Sequence, residues 1–96
     1  MQNPRFHELL KKIADTHDRK NHDYATTEDP FSNFRECEKF GVKAWQGCLV
    51  RMSDKWSRLT NLATKDAKVN ESFEDTLQDL AVYSLICILL REDAND

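Results

Sequence analysis

Hydrophobic positions along the chain define four predicted helices. In the first, Phe6, Leu9, Leu10 and Ile13 recur three and four residues apart behind Asn3 and Pro4, a capping residue followed by a proline suited to the first helical position. That helix is expected to end at about Arg19 or Lys20. From Asn21 to Asp29 the chain turns polar, and Asp29-Pro30 then repeats the cap-plus-proline start for a short helix that Gly41 closes. The third helix is expected over about Val42 to Ala63, where Trp45, Leu49, Met52, Trp56, Leu59 and Ala63 alternate four and three apart as one long buried seam. After the polar break TKDAKVN, the fourth begins near Asn70 to Ser72 and runs to about Arg91, with Phe73, Leu77, Leu80, Ser84 and Cys87 on one face.

The second half of that last helix is apolar nearly all round, so it needs cover on several sides, from other helices or from another subunit. The fold class that follows is all-α: a small bundle of about four helices over residues 1–96 as a single domain, completed by homo-oligomerisation. Two glycines and two prolines in 96 residues, with 32% charged and 40% hydrophobic side chains, fit long helices better than a turn-rich β architecture.

Charge and cysteine usage narrow the partners. With 17 acidic against 14 basic residues the net charge is −3, so no general positive field draws the protein to nucleic acid or to an anionic membrane. No helix carries a run of cations clear of acids, which argues against direct binding of duplex nucleic acid. The apolar stretch LAVYSLICILL, Leu80 to Leu90, is well short of the roughly 20 residues a spanning helix needs, and MQNPRFHELLKK lacks the apolar run of a signal peptide. Cys37, Cys48 and Cys87 form no CxxC pair and are odd in number, which points to a reducing, cytoplasmic setting.

Two charged rows carry the candidate chemistry. Arg51, Asp54, Lys55 and Arg58 lie at i, i+3, i+4 and i+7, hence on one face of the third helix. A solvated face of ion pairs, each contributing roughly 0.2–0.5 kcal/mol, is the plain explanation. Against it stands the repulsion of Arg51 and Lys55 across one turn; cations gathered around one carboxylate suit a bound phosphate. On the fourth helix Glu71, Asp75 and Asp79 recur every four residues and Tyr83 continues the row. Acids favour a helix N-terminus, and Ser72 with Asp75 resembles a capping box, which accounts for Glu71, Glu74 and Asp75. Asp79 lies too deep for that. A row of carboxylates is stabilised by a hard cation such as Mg²⁺ or by facing the basic row.

The polar connector adds KNHDY. Lys20, Asn21, Asp23 and Tyr24 supply a cation, an amide, a carboxylate and an aromatic face for a nucleotide, although a stretch so rich in turn formers also reads simply as a turn. His17 and His22 lack partners at zinc-ligand spacing, and no nucleophile elbow is written.

Three segments, KNHDY, LVRMSDKWSRLTNL and VNESFEDTLQDLAVYSLICILL, together resemble the small phage and bacterial family called nucleotide modification associated domain 1 over about Lys12 to Leu90. By that resemblance Asp54, Lys55, Arg58, Glu71, Asp75, Asp79 and Tyr83 occupy the family's recurrent positions, while Ala25 stands where such families commonly have glycine. A looser similarity joins the chain to all-α MazG-type nucleoside triphosphate pyrophosphatases, whose E-E-x-x-E metal motif is replaced here by Arg51-Met52-Ser53-Asp54-Lys55. Three expectations result. The leading one is a phage-type protein that binds a nucleotide or cyclic nucleotide through Arg51, Lys55 and Arg58, with Tyr24 or Trp45 stacking on the base, and serves base modification or removes a defence signal. The others are Mg²⁺-dependent hydrolysis of a nucleoside triphosphate, with Asp54, Glu71, Asp75 and Asp79 as ligands, and a helical interaction protein without a ligand.

Overall fold

The structure is a computed structural model; it describes residues 3–24, 31–65 and 72–94, and of 20–24 only the backbone. The fold is all-α. Helix α1 covers Pro4–Tyr24, α2 Ala44–Leu62 and α3 Phe73–Ala94, with two 3₁₀ turns, Ser32–Phe34 and Glu36–Phe40, ahead of α2. The chain divides into two units, Met1–Asn33 and Phe34–Asp96. Among the described residues no helix is long and apolar enough to cross a membrane.

In the first unit, Asn3 caps α1 as the sequence requires: its Oδ1 accepts from the backbone N–H of Arg5 at 3.0 Å and of Phe6 at 3.3 Å. The helix runs past the expected end at Arg19 or Lys20 to Tyr24. Lys20, Asn21, Asp23 and Tyr24 are therefore backbone-helical and not part of a polar connector. Extending an existing helix costs far less than starting one, so Asn, His and Asp, mediocre helix formers, are carried along.

In the second unit the short segment before α2 is 3₁₀ in place of the expected α-helix. Gly41 closes it with a left-handed φ of 79°, its N–H donating to the carbonyl of Glu38 at 3.1 Å, while Val42 N–H reaches the carbonyl of Cys37 at 3.3 Å. At the start of α3, Ser72 and Asp75 form the expected capping box: Asp75 N–H donates to Ser72 Oγ at 3.1 Å, and Ser72 N–H to Asp75 Oδ2 at 3.4 Å.

Helices α2 and α3 pack antiparallel, with three contacts setting the register. The Cys48 thiol donates to the carbonyl of Tyr83 at 3.3 Å, the Cys87 thiol to the carbonyl of Trp45 at 3.6 Å, and Lys55 meets Asp79. The contact line on α2 is Ala44, Cys48, Met52, Lys55, Leu59 and Leu62; on α3 it is Thr76, Leu80, Tyr83, Cys87 and Leu90, each buried or half-buried. Thr76 is fully buried and its hydroxyl donates to the carbonyl of Ser72 at 2.9 Å.

This line corrects the expected seam. Leu49 is 46% exposed and Trp56 63%, and Ala63 is exposed too, while Met52 and Leu59 of the expected seam do lie on the contact line, so the buried stripe of α2 is turned by less than one residue step of about 100° from the one the apolar spacing suggested. One helix pair offers one line of contact, and α2 carries two candidate stripes. The stripe with Ala44 and Cys48 faces α3, and these small side chains let the backbones come close enough for the thiols to reach carbonyls across the pair.

Burial pushes the Cys48 thiol up to about 11, the neighbouring Cys87 acting in the same direction and Arg51 against it. The unfolded thiol ionises near 9.0, so its contribution to stability is complete below that pH and is lost as pH rises from 9.0 toward about 11. Urea midpoints measured from pH 8 to 10.5 are expected to fall more steeply for the native chain than for Cys48→Ala; parallel curves would contradict the burial of this thiol.

Candidate functional site

A simple offset organises the side chains around the contact line. Residues immediately after it, Trp45, Leu49, Trp56, Leu77, Ser84 and Ile88, are rotated about 100° one way; residues immediately before it, Arg51, Asp54, Arg58, Asp75 and Asp79, are rotated as far the other way. Because the helices are antiparallel, the same rotation from a shared line brings both sets of following residues to one side of the pair and both sets of preceding residues to the opposite side. Contacts on each side agree with this. Arg91 lies over the ring of Trp45 at 4.6 Å, both being following positions. The side chain of Cys37 packs against Gly47, a preceding position, closely enough that a Cβ there would sit 2.5 Å from its sulfur.

The basic row of α2 and the acidic row of α3 thus share one side, and they touch. Lys55 Nζ and Asp79 Oδ2 are 2.9 Å apart, at 22% and 23% side-chain exposure. Pairing at that depth shelters both charges from much of the screening that weakens surface ion pairs. Arg58 is half-buried one turn along, and its Nε is enclosed by protein. Asp54 is exposed beside them.

Toward the other end of the row the site acquires an aromatic floor. Arg51 places its guanidinium 4.7 Å over the ring of buried Phe34, and that ring meets Tyr83 edge-on at 5.8 Å with planes 76° apart. Tyr83 thereby stands next to Arg51 as the continuation of the acidic row. Phe34 was not among the candidates from sequence; nothing local sets it apart from Phe31 and Phe40 in the same segment ahead of α2.

The remaining candidates are distributed differently. Asp75 spends its carboxylate on the Ser72 cap. Trp45, one of two expected base-stacking residues, lies on the opposite side under Arg91. The backbone of Lys20, Asn21, Asp23 and Tyr24 ends α1 in the first unit, and Glu71 lies outside the described residues. Among the described residues no three of His, Cys, Asp and Glu gather so as to hold a metal ion. At the far end of the α2–α3 pair, Arg35, Lys43, Trp45, Arg91 and Asp93 line a polar hollow of about 370 Å³, with Arg35 paired to Asp93 at 3.0 Å.

No family model matches the chain, and no curated protein or solved structure is similar enough to it to count as a relative.

The Lys55–Asp79 pair invites a direct test. Lys55→Met or Asp79→Asn alone leaves its partner's charge half-buried and is expected to cost about 1–2 kcal/mol, between the values typical of exposed and buried pairs. The double variant Lys55→Met/Asp79→Asn is expected to cost clearly less than the two singles together in urea denaturation. Additive losses would show that the two side chains do not support one another.

Proposed function

We propose that the protein binds a nucleotide or nucleotide-derived signal, linear or cyclic, on the charged side of the α2–α3 pair. The observation that carries this reading is the meeting of the two rows of opposite charge on one side, joined by the Lys55–Asp79 pair. Arg51 is exposed and braced from below by Phe34, so its outer plane can stack on a base while its donors reach a phosphate. Arg58 and Lys55 extend the cationic row, and Asp79 fixes where the Lys55 ammonium sits. The resemblance of RMSDKWSRL and ESFEDTLQDLAVY to nucleotide modification associated domain 1 supports the same class of ligand.

The acids order cations in this reading. Asp75 is engaged by the Ser72 cap and Asp79 by Lys55, which supports the reading of these two acids as structural and cation-ordering. Binding or sequestration, in the cytoplasm and by a homo-oligomer, is accordingly the function proposed.

Calorimetry with a panel of linear and cyclic mono- and dinucleotides is expected to find at least one ligand binding at micromolar concentrations. Arg51→Ala and Arg58→Ala are each expected to weaken it about tenfold or more, the loss of one hydrogen bond to a charged group. If a folded protein, verified by circular dichroism, binds none of the panel, the proposal is wrong.

A further inference from the structure

The opposite side of the pair poses a separate question. The following-residue stripes are apolar and exposed: besides Leu49 and Trp56, Phe73 is 39% exposed, Leu77 44% and Ile88 54%. Their rims carry Ser53, Thr60 and Ser84, hydroxyl side chains without charge. Side by side on two helices, these residues form a patch and not scattered surface leucines, and exposed patches of this kind often mark interaction surfaces.

The sequence says what shape the cover has. Trp45, Leu49, Met52, Trp56, Leu59 and Ala63 on α2, and Phe73, Leu77, Leu80, Ser84 and Cys87 on α3, alternate four and three apart without a break. A strict alternation of this kind keeps a stripe facing a neighbouring helix along its whole length, because it matches the 3.5-residue period of helices packed at a shallow angle. Met52, Leu59, Leu80 and Cys87 of these stripes already face the other helix of the pair, so the exposed remainder, Leu49, Trp56, Phe73 and Leu77, lies beside that contact and offers a line to a second helix pair. A second α2–α3 pair presents that surface, spaced identically, with Arg91 over Trp45 at its end. Covering Leu49, Trp56, Phe73, Leu77 and Ile88 removes on the order of 500 Å² of apolar surface per chain, most of the about 800 Å² per partner of a stable interface. Half-buried Met52, Leu80 and Cys87 and the hydroxyl rim supply the rest.

We infer that two copies of the chain associate through the Trp56–Leu77 side of the α2–α3 pair, closing a four-helix bundle with the charged sides facing outward on both faces. This inference names the surface behind the homo-oligomer proposed above and stands without the nucleotide reading, since the two use opposite sides of the pair.

Sedimentation equilibrium of the full chain at tens of micromolar tests it. A mass of at least twice 11.2 kDa is expected for the native chain. Trp56→Glu and Leu77→Lys are each expected to return it to the single-chain mass, with helical circular dichroism retained because both side chains are already substantially exposed. If either charged variant fails to fold, Trp56→Ser is expected to raise the dissociation constant at least tenfold. A native chain of single mass overturns the inference, as does an assembly that none of these substitutions weakens. Arg58→Ala is expected to leave the mass unchanged, so failure of nucleotide binding and failure of association are read separately.

Discussion

The structure of the second unit depends on one line of contact between two antiparallel helices. Once Cys48, Met52, Lys55 and Leu59 face Thr76, Leu80, Tyr83 and Cys87, every other position on α2 and α3 is assigned by rotation. One step back along the chain lie Arg51, Asp54, Arg58, Asp75 and Asp79; one step forward lie Leu49, Trp56, Leu77 and Ile88. The antiparallel direction makes the two helices agree about which side is which. A parallel pair with the same stripes would set charge on one helix beside hydrophobic surface on the other.

The charged side is ordered by its buried members and not by its exposed ones. Asp79 cannot be explained by the helix dipole, which has faded two turns into α3, and the structure gives it Lys55 instead. Asp75, four residues earlier in the same row, is explained by its cap. Two carboxylates alike in sequence spacing thus have different work, one local and one between helices. Arg51 is likewise held from beneath by an aromatic ring, so two cations of the basic row, Arg51 and Lys55, are each positioned by a contact within the unit.

Much of this was legible in the sequence where the signal is local. Asn3-Pro4, Gly41 and the Ser72–Asp75 box each mark an element boundary through hydrogen bonds within a few residues, and each is found there. The meeting of the charged rows was legible too, because carboxylates stacked four apart need compensation and a basic row of matching length was available. What spacing alone could not resolve is which of two stripes on α2 faces α3. Trp45, Leu49 and Trp56 are larger and more apolar than Ala44, Cys48 and Lys55, so hydrophobicity favoured them; close approach of the backbones favoured the smaller set. Phe34 was missed because its partners, Arg51 and Tyr83, are distant in sequence and no periodicity links a residue of a short 3₁₀ helix to a later α-helix. The end of α1 was placed short because Asn, His and Asp look like a turn until an upstream helix carries them.

The central claim is that the two sides of the α2–α3 pair are independent surfaces. Backbone amide chemical shifts, followed once on adding a bound nucleotide and once on diluting the protein, test it most directly. The account requires the nucleotide to move amides around Arg51, Lys55, Arg58 and Asp79, and dilution to move those around Leu49, Trp56, Leu77 and Ile88. One shared set of amides responding to both would contradict it.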